Sequence, residues 1–189
     1  HQATYDWIDG SAGTQLALGV EQDSGVIPLP FSVAWYGTTQ TELTIGSNGI
    51  LCFVAANCGI GVSYFTDGIP SPTGPNGIIA CYASYFDSTI SGTIHYSTVG
   101  VAPSRTFLVE WDAVAHYEDY SGATNTFQAQ LREDGSVRCM LQHVVADPNG
   151  SRPVGVGVES ISGDVGVQFA FAPGGIAADD LAIAFDPPT

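Results

Sequence analysis

Apolar and polar side chains alternate with a period of two along much of this chain. The pattern is clearest in Thr106–Trp111 and Phe127–Arg132, where every second side chain is apolar. Such alternation is typical of β-strands that bury one face. The predicted strands are Thr4–Ile8, Ile27–Ala34, Glu42–Ile45, Ile50–Val54, Gly77–Tyr82, Gly92–Ser97, Thr106–Trp111, Phe127–Arg132, Val137–Gln142, Val154–Glu159, Val165–Phe171 and Leu181–Phe185.

Two short turns are predicted to join neighbouring strands into hairpins. Asp134-Gly135 lies between Phe127–Arg132 and Val137–Gln142, and Ser47–Gly49 lies just before Ile50–Val54. Asp-Gly and Asn-Gly pairs favour tight hairpin turns because these residues adopt positive φ easily. Each of the two segments therefore predicts an antiparallel strand pair.

Evidence for helix is confined to one segment. Ile176–Ala184 has room for about two helical turns, but its flanking glycines and prolines suit a closing strand equally well. About ten or eleven strands separated by short turns predict an all-β fold, an antiparallel β-sandwich of jelly-roll type. Gly68–Gly77, which contains three prolines, is the longest clear loop. We expect residues 1–189 to form a single domain.

The charge of the chain excludes one class of partner. Nineteen acidic residues face four basic ones, which gives a formal net charge of −15. The basic residues are Arg105, Arg132, Arg138 and Arg152, and they form no run that would line a phosphate groove. We therefore expect no nucleic-acid partner.

The four cysteines, Cys52, Cys58, Cys81 and Cys139, predict two disulfides better than a metal site. They lack the C-x-x-C spacing of zinc sites. Of the three possible pairings, we favour Cys52 with Cys58 across a short loop and Cys81 with Cys139 between two strands. Reduced, buried thiols are the alternative.

Oxidised cysteines predict an exported protein, secreted or held at the cell surface. The chain contains no run of about 18 apolar residues, so we expect no transmembrane segment. Its first residues lack the features of a signal peptide, and we expect that any such peptide has already been removed.

Several segments together resemble one known family. Leu29–Gly37, Leu43–Phe53, Ile69–Ala80, Arg105–Val114 and Phe127–Val137 are similar, in order and spacing, to segments of nidogen-like extracellular domains. The resemblance covers most of the chain. It implies a β-sandwich used in adhesion, matrix or surface assembly, and it implies no enzymatic activity.

The chain departs from the family pattern at two places. Asp87 is the one acidic residue where relatives often carry acidic pairs, and Cys81 and Cys139 replace common core residues. The second departure suggests a disulfide between Cys81 and Cys139, which would stabilise the fold by about 2–4 kcal/mol if it forms.

No catalytic residue is assigned from the sequence. A G-x-S-x-G nucleophile motif is absent. One enzymatic alternative uses the first residue: if His1 is the natural N-terminus, its amine and imidazole, with a second histidine such as His116, form a copper site like that of copper-dependent polysaccharide oxidases. His95 and His143 are the other candidates for the second histidine.

Binding sites are predicted in loops rich in carboxylates and tyrosines. Calcium accepts six to eight oxygens, and its candidate ligands are Asp87, Asp112, Glu118 and Asp119. Tyr117 and Tyr120 are candidates for ligand contact, and Asn149 begins a glycosylation sequon.

The function we predict is that of a non-enzymatic extracellular module for surface adhesion or for self-assembly into a fibre or matrix. Its partner is then a protein or glycan on a surface, or copies of itself. In the self-assembly version, Thr4–Ile8 or Leu181–Phe185 adds a strand to a neighbouring molecule. A carbohydrate-binding module is an alternative. No cofactor is required, although calcium fits the acidic loops.

Overall fold

The described residues form strands and no helix. A computed structural model describes residues 2–59, 68–147, 153–173, 176–186 and 188. Within them lie thirteen β-strands, which are β1 (Thr14–Leu16), β2 (Asp23–Trp35), β3 (Thr38–Gly46), β4 (Ile50–Cys52), β5 (Ile78–Ala83), β6 (Phe86–Asp87), β7 (Thr93–Val99), β8 (Thr106–His116), β9 (Asn125–Arg132), β10 (Val137–Val144), β11 (Pro153–Glu159), β12 (Gly166–Pro173) and β13 (Ala178–Phe185). None of these residues lies in a helix that is long and apolar enough to cross a membrane.

The strands form two antiparallel sheets, as predicted. A seven-stranded sheet has the order β1-β7-β8-β9-β10-β13, with β6 paired to β8. A six-stranded sheet has the order β12-β11-β5-β4-β3-β2. The predicted hairpins at Ser47–Gly49 and Asp134-Gly135 join β3 to β4 and β9 to β10.

Alternation along the strands produces the core. In β2 every second residue from Ile27 to Trp35 is buried, and the residues between them are exposed. Side chains of this kind from both sheets pack into one cluster, in which Trp35 and Trp111 are the largest fully buried members. Burial of this apolar surface is the main stabilising contribution to the fold.

Both predicted disulfides are present. Cys52, in β4, is bonded to Cys58 in the following loop, which closes a separation of 6 residues. Cys81, in β5, is bonded to Cys139 in β10 over a separation of 58 residues. The second bond links the two sheets across the core.

Strand number differs slightly from the prediction. Short strands β1 and β6 carry too little sequence for alternation to be visible. Ile176–Ala184 contains no helix: β13 (Ala178–Phe185) pairs with β10, so the closing-strand interpretation is correct.

The predicted strand Thr4–Ile8 is wrong as a strand. Residues 2–10, which we call the N-terminal strap, lie across the outer face of the seven-stranded sheet. The strap makes one isolated bridge, from Gln2 to Ile183 of β13. Farther along, it is held by side chains of the sheet, such as Gln130, whose Nε2 donates to the Asp6 carbonyl at 2.9 Å. The alternation of apolar and polar residues in this segment arises because an extended chain buries one of its faces against the sheet. Such burial does not require backbone pairing with a neighbouring strand.

Candidate functional site

Most of the predicted site residues lie at one corner, where β6 meets the end of β8. Phe86 pairs with His116, and Asp87 pairs with Ala115. The backbone N–H of Tyr117 donates to the carbonyl of Tyr85 at 2.9 Å. We call His116–Tyr120 the tyrosine loop. The β6–β8 pairing brings together six of the predicted site residues, some buried and some exposed, which are Asp87, His116, Tyr117, Glu118, Asp119 and Tyr120.

A buried asparagine fixes the strand that supports this corner. Asn48 lies in the turn between β3 and β4 and is fully buried. Its Oδ1 accepts a hydrogen bond from the Phe86 N–H at 3.0 Å, and its carbonyl accepts one from the Ser84 N–H at 3.1 Å. Buried polar groups bonded in this way favour one arrangement of the chain. The Asn-Gly turn therefore also positions the corner.

His116 is a buried structural histidine at the base of the loop. Its Nε2 lies 3.0 Å from the carbonyl of Val145, and its Nδ1 lies 3.4 Å from Oγ of Ser84. The carbonyl only accepts, so Nε2 carries a proton and donates to it, and the second ring nitrogen, Nδ1, faces the serine hydroxyl. The ring also stacks on Phe86, with 5.0 Å between ring centroids. Because Ser84 is fully buried, this pair is not presented to a substrate.

The tyrosines form the outer surface of the corner. The ring of Tyr117 packs on that of Tyr85, with centroids 4.5 Å apart and an interplanar angle of 56°. Tyr120 is 80% exposed, the largest value among the large apolar side chains of the described residues. A tyrosine presents both an apolar ring and a hydroxyl, so the corner offers an amphipathic contact surface.

Local hydrogen bonds engage two of the four carboxylates predicted to bind calcium. Oδ1 of Asp87 accepts from the N–H and the hydroxyl of Thr89, at 2.9 and 2.6 Å. Hydrogen bonds from the hydroxyl and N–H of Ser121 lower the pKa of Asp119. The other Asp119 oxygen, Oδ2, is buried and has no hydrogen-bond partner. Each of these aspartates thus has an oxygen that stabilises its own turn.

The remaining two carboxylates differ in position. Glu118 is exposed and adopts a φ of 60°. Asp112 lies on β8, and its Oδ1 accepts a hydrogen bond from the Thr126 hydroxyl at 3.4 Å. Burial, and to a smaller extent the charge of Asp112, raises the pKa of the neighbouring Glu110. No group of three His, Cys, Asp or Glu side chains within the described residues is placed to hold a metal ion. Calcium binding stays a prediction.

Two other predictions involve residues outside the described part. His1, on which the copper site depends, and Asn149, the predicted glycosylation site, both lie there. His116, the second copper ligand in that hypothesis, has both ring nitrogens engaged by Val145 and Ser84. Copper binding through His116 would therefore require those contacts to break.

Sequence reasoning missed the polar face beneath the N-terminal strap. Glu110, Gln128 and Gln130 occupy outward positions of β8 and β9, where polar residues are ordinarily in contact with water. All three are buried, and the two glutamines are fully so. One signal was available: Leu108 and Met140 are apolar at outward positions, which indicates a covered face.

The fold and the corner define a class of protein. A two-sheet β-sandwich held by two disulfides is typical of extracellular proteins. A family model described as NIDO related matches residues 1–173, and the chain belongs to this nidogen-related family. No curated protein and no solved structure matches the chain. The family and the disulfides fit an extracellular protein and suggest a non-enzymatic module.

Proposed function

We propose that this protein is an extracellular, non-enzymatic adhesion module that binds a surface ligand through the tyrosine loop. The observation that carries the proposal is the exposure of Tyr120 on a loop whose base is fixed. A backbone that is already held in place loses little conformational freedom on binding, so more of the contact energy contributes to affinity.

The base of the loop is well anchored. The Tyr117 N–H is bonded to Tyr85, and the Asp119 N–H donates to the His116 carbonyl at 3.0 Å. Asp119 in turn accepts from the Ser121 N–H at 2.9 Å. Tyr120 lies between these last two residues, so its backbone is held on both sides while its side chain faces solvent.

The chemistry of the loop suits a protein or glycan surface. Tyrosine is enriched in the centres of protein interfaces because it contributes a large contact area and a hydrogen bond together. Glu118 is exposed beside Tyr117 and offers an acceptor for hydroxyl or amide groups. A glycan ligand, as in the carbohydrate-binding alternative, uses the same ring face and the same acceptor.

The test compares Tyr120→Ala with Val101→Ala. Val101 is a matched control, because it is 79% exposed and lies in the connection between β7 and β8. Binding is measured by biolayer interferometry against immobilised matrix proteins and a glycan array, before and after glycosidase treatment of the glycoproteins. We expect Tyr120→Ala to weaken the strongest interaction at least about tenfold, and Val101→Ala to leave it unchanged.

Each outcome of this test has a defined meaning. Loss of binding after glycosidase treatment assigns a glycan, and persistence assigns a protein. Equal affinity of the Tyr120→Ala variant and the wild type would refute the role of the loop, provided that the two proteins have the same melting temperature.

A further inference from the structure

The N-terminal strap is bound mainly by side chains of the sheet it covers. From its start to its end, the Ala3 N–H donates to Ala182 of β13 at 3.0 Å, and the Asp6 carbonyl accepts from Gln130 of β9. The Ile8 carbonyl accepts from Nε2 of Gln128, and the Gly10 N–H donates to Oε2 of Glu110 in β8 at 3.1 Å. The strap thus crosses the sheet from β13 to β8.

The face beneath the strap is built to bind an extended backbone. Nε2 of Gln128 also donates to Oε2 of Glu110 at 2.6 Å, so the side chains that bind the strap hold one another in place. These groups contact main-chain atoms of residues 6, 8 and 10, which alternate as they do in an extended segment. Leu108 and Met140 supply buried apolar surface on the same face. We call this face the strap groove.

We propose that the strap groove is an exchangeable peptide site and that its partner is the N-terminal strap of a second copy of this chain. When the strap leaves its groove, the strap of a neighbouring molecule can enter, because it has the same sequence. The same hydrogen bonds then form in the exchanged state. This inference goes beyond the proposed adhesion function and does not use the tyrosine loop.

Charge complementarity supports the same occupant. Three of the four arginines of the chain, Arg105, Arg132 and Arg138, line two clefts that border the strap, and Asp6 lines both clefts. Arg105 is paired with Glu133, and Arg138 is paired with Asp186. Arg132 lines both clefts together with Asp6 of the strap, so attraction between these two residues is the charge contribution to strap binding.

A short turn allows the exchange. The Gly13 N–H donates to the Gly10 carbonyl at 2.9 Å, and β1 begins at the next residue, Thr14, paired with β7. Opening at Gly10–Gly13 releases the strap and leaves β1 in place. Reciprocal exchange gives a closed dimer, and exchange in one direction gives a fibre.

The test mixes two variants that each add one cysteine to the four disulfide-bonded ones, Ala3→Cys in one chain and Ala182→Cys in the other. Ala3 lies opposite Ala182 beside the Gln2–Ile183 bridge, where cross-strand side chains are neighbours. After mild oxidation, we expect a disulfide-linked heterodimer joined between positions 3 and 182, as identified by peptide mapping. The control mixture replaces the second chain by Val101→Cys, which is exposed and reports random collision.

The result expected is at least about tenfold more heterodimer in the first mixture than in the control. The double variant Ala3→Cys/Ala182→Cys, oxidised within one chain, should be a monomer that no longer exchanges. Equal yields in the two mixtures, or self-association that persists in the locked double variant, would overturn the proposal.

A second measurement needs no variant. A fluorescein-labelled synthetic peptide with the sequence of residues 2–10 is titrated with the wild-type protein, and its anisotropy is recorded. We expect saturable binding at least about tenfold tighter than that of a scrambled peptide. Indistinguishable binding of the two peptides would also overturn the proposal.

Discussion

Glu159 has a buried carboxyl group in which one of the two oxygens has no hydrogen-bond partner. It lies at the end of β11 and is 1% exposed. Oε2 accepts a hydrogen bond from the Ser71 N–H at 3.0 Å, whereas Oε1 is buried without a hydrogen-bond partner. Burial raises the pKa of this group to about 7. The folded protein therefore favours the protonated acid, and ionisation of Glu159 destabilises it.

Glu159→Gln should stabilise the protein at neutral pH and leave it unchanged in acid. The pKa of Glu159 is higher in the folded than in the unfolded chain. The contribution of protonated Glu159 to the free energy of unfolding is therefore fully present below about pH 4.5 and is lost as the pH rises through about 7. A shift of this size is worth roughly 3 kcal/mol. We expect the melting temperature of the variant to exceed that of the wild type at pH 8 and to equal it at pH 4.

Glu133→Gln is a control with the opposite sign. Hydrogen bonds from Arg105 lower the pKa of Glu133 to about 2. The contribution of ionised Glu133 to the free energy of unfolding is present above about pH 4.5 and is lost as the pH falls toward 2. This variant should be less stable than the wild type at pH 8. If both variants shift the melting temperature in the same direction at pH 8, burial of Glu159 is not the cause.

At the scale of elements, the two disulfides should contribute unequally to stability. All four cysteines are fully buried, so replacing either pair by alanine removes similar packing. The pairs close separations of 58 and 6 residues, and the larger loop loses more unfolded-state entropy when it is closed. The loop-closure relation gives a difference of about 2 kcal/mol.

Urea unfolding of the two double variants measures this difference. Cys81→Ala/Cys139→Ala should have a free energy of unfolding lower than that of Cys52→Ala/Cys58→Ala by about this amount. Equal values would indicate that native-state packing, and not loop closure, determines the contribution of each bond.

Alternation predicted most strands because the facing sides of the two sheets bury their side chains against each other. In β2, the residues from Ile27 to Trp35 carry this signal in full. The same signal was misleading at Thr4–Ile8, because a strap that covers a sheet also has one buried face. Alternation reports burial of a face, and it does not report whether the bonding partner is a strand or a side chain.

The candidate site was predictable in its residues but not in its assembly. Tyr117 and Tyr120 were proposed as ligand contacts because aromatic and acidic residues share one predicted loop, and this role stays a prediction. The support from Asn48 and the pairing of Phe86 with His116 join segments separated by 38 and 30 or more residues in the chain, and no local pattern encodes such contacts. The strap groove was hidden for the same reason, since polar residues on an outer face ordinarily indicate solvent.

At the scale of the whole molecule, charge repulsion opposes the compact state. With nineteen acidic and four basic residues, few acidic groups have a nearby cation. Within the described residues, two arginines form ion pairs, Arg105 with Glu133 and Arg138 with Asp186, and His143 forms a hydrogen bond with Asp179. The remaining acidic side chains therefore repel one another over distances at which dissolved salt weakens the repulsion effectively.

Sodium chloride should accordingly raise the melting temperature at neutral pH between about 0.01 M and 0.5 M, where the screening length falls below about 10 Å.

The same scan, repeated with CaCl₂ and MgCl₂ at matched ionic strength, tests the calcium prediction. Equal shifts with the two divalent ions would contradict the calcium prediction. A larger rise with Ca²⁺, abolished by Asp119→Asn, would instead establish a calcium site in the tyrosine loop, because Ca²⁺ accepts irregular oxygen ligands that Mg²⁺ does not.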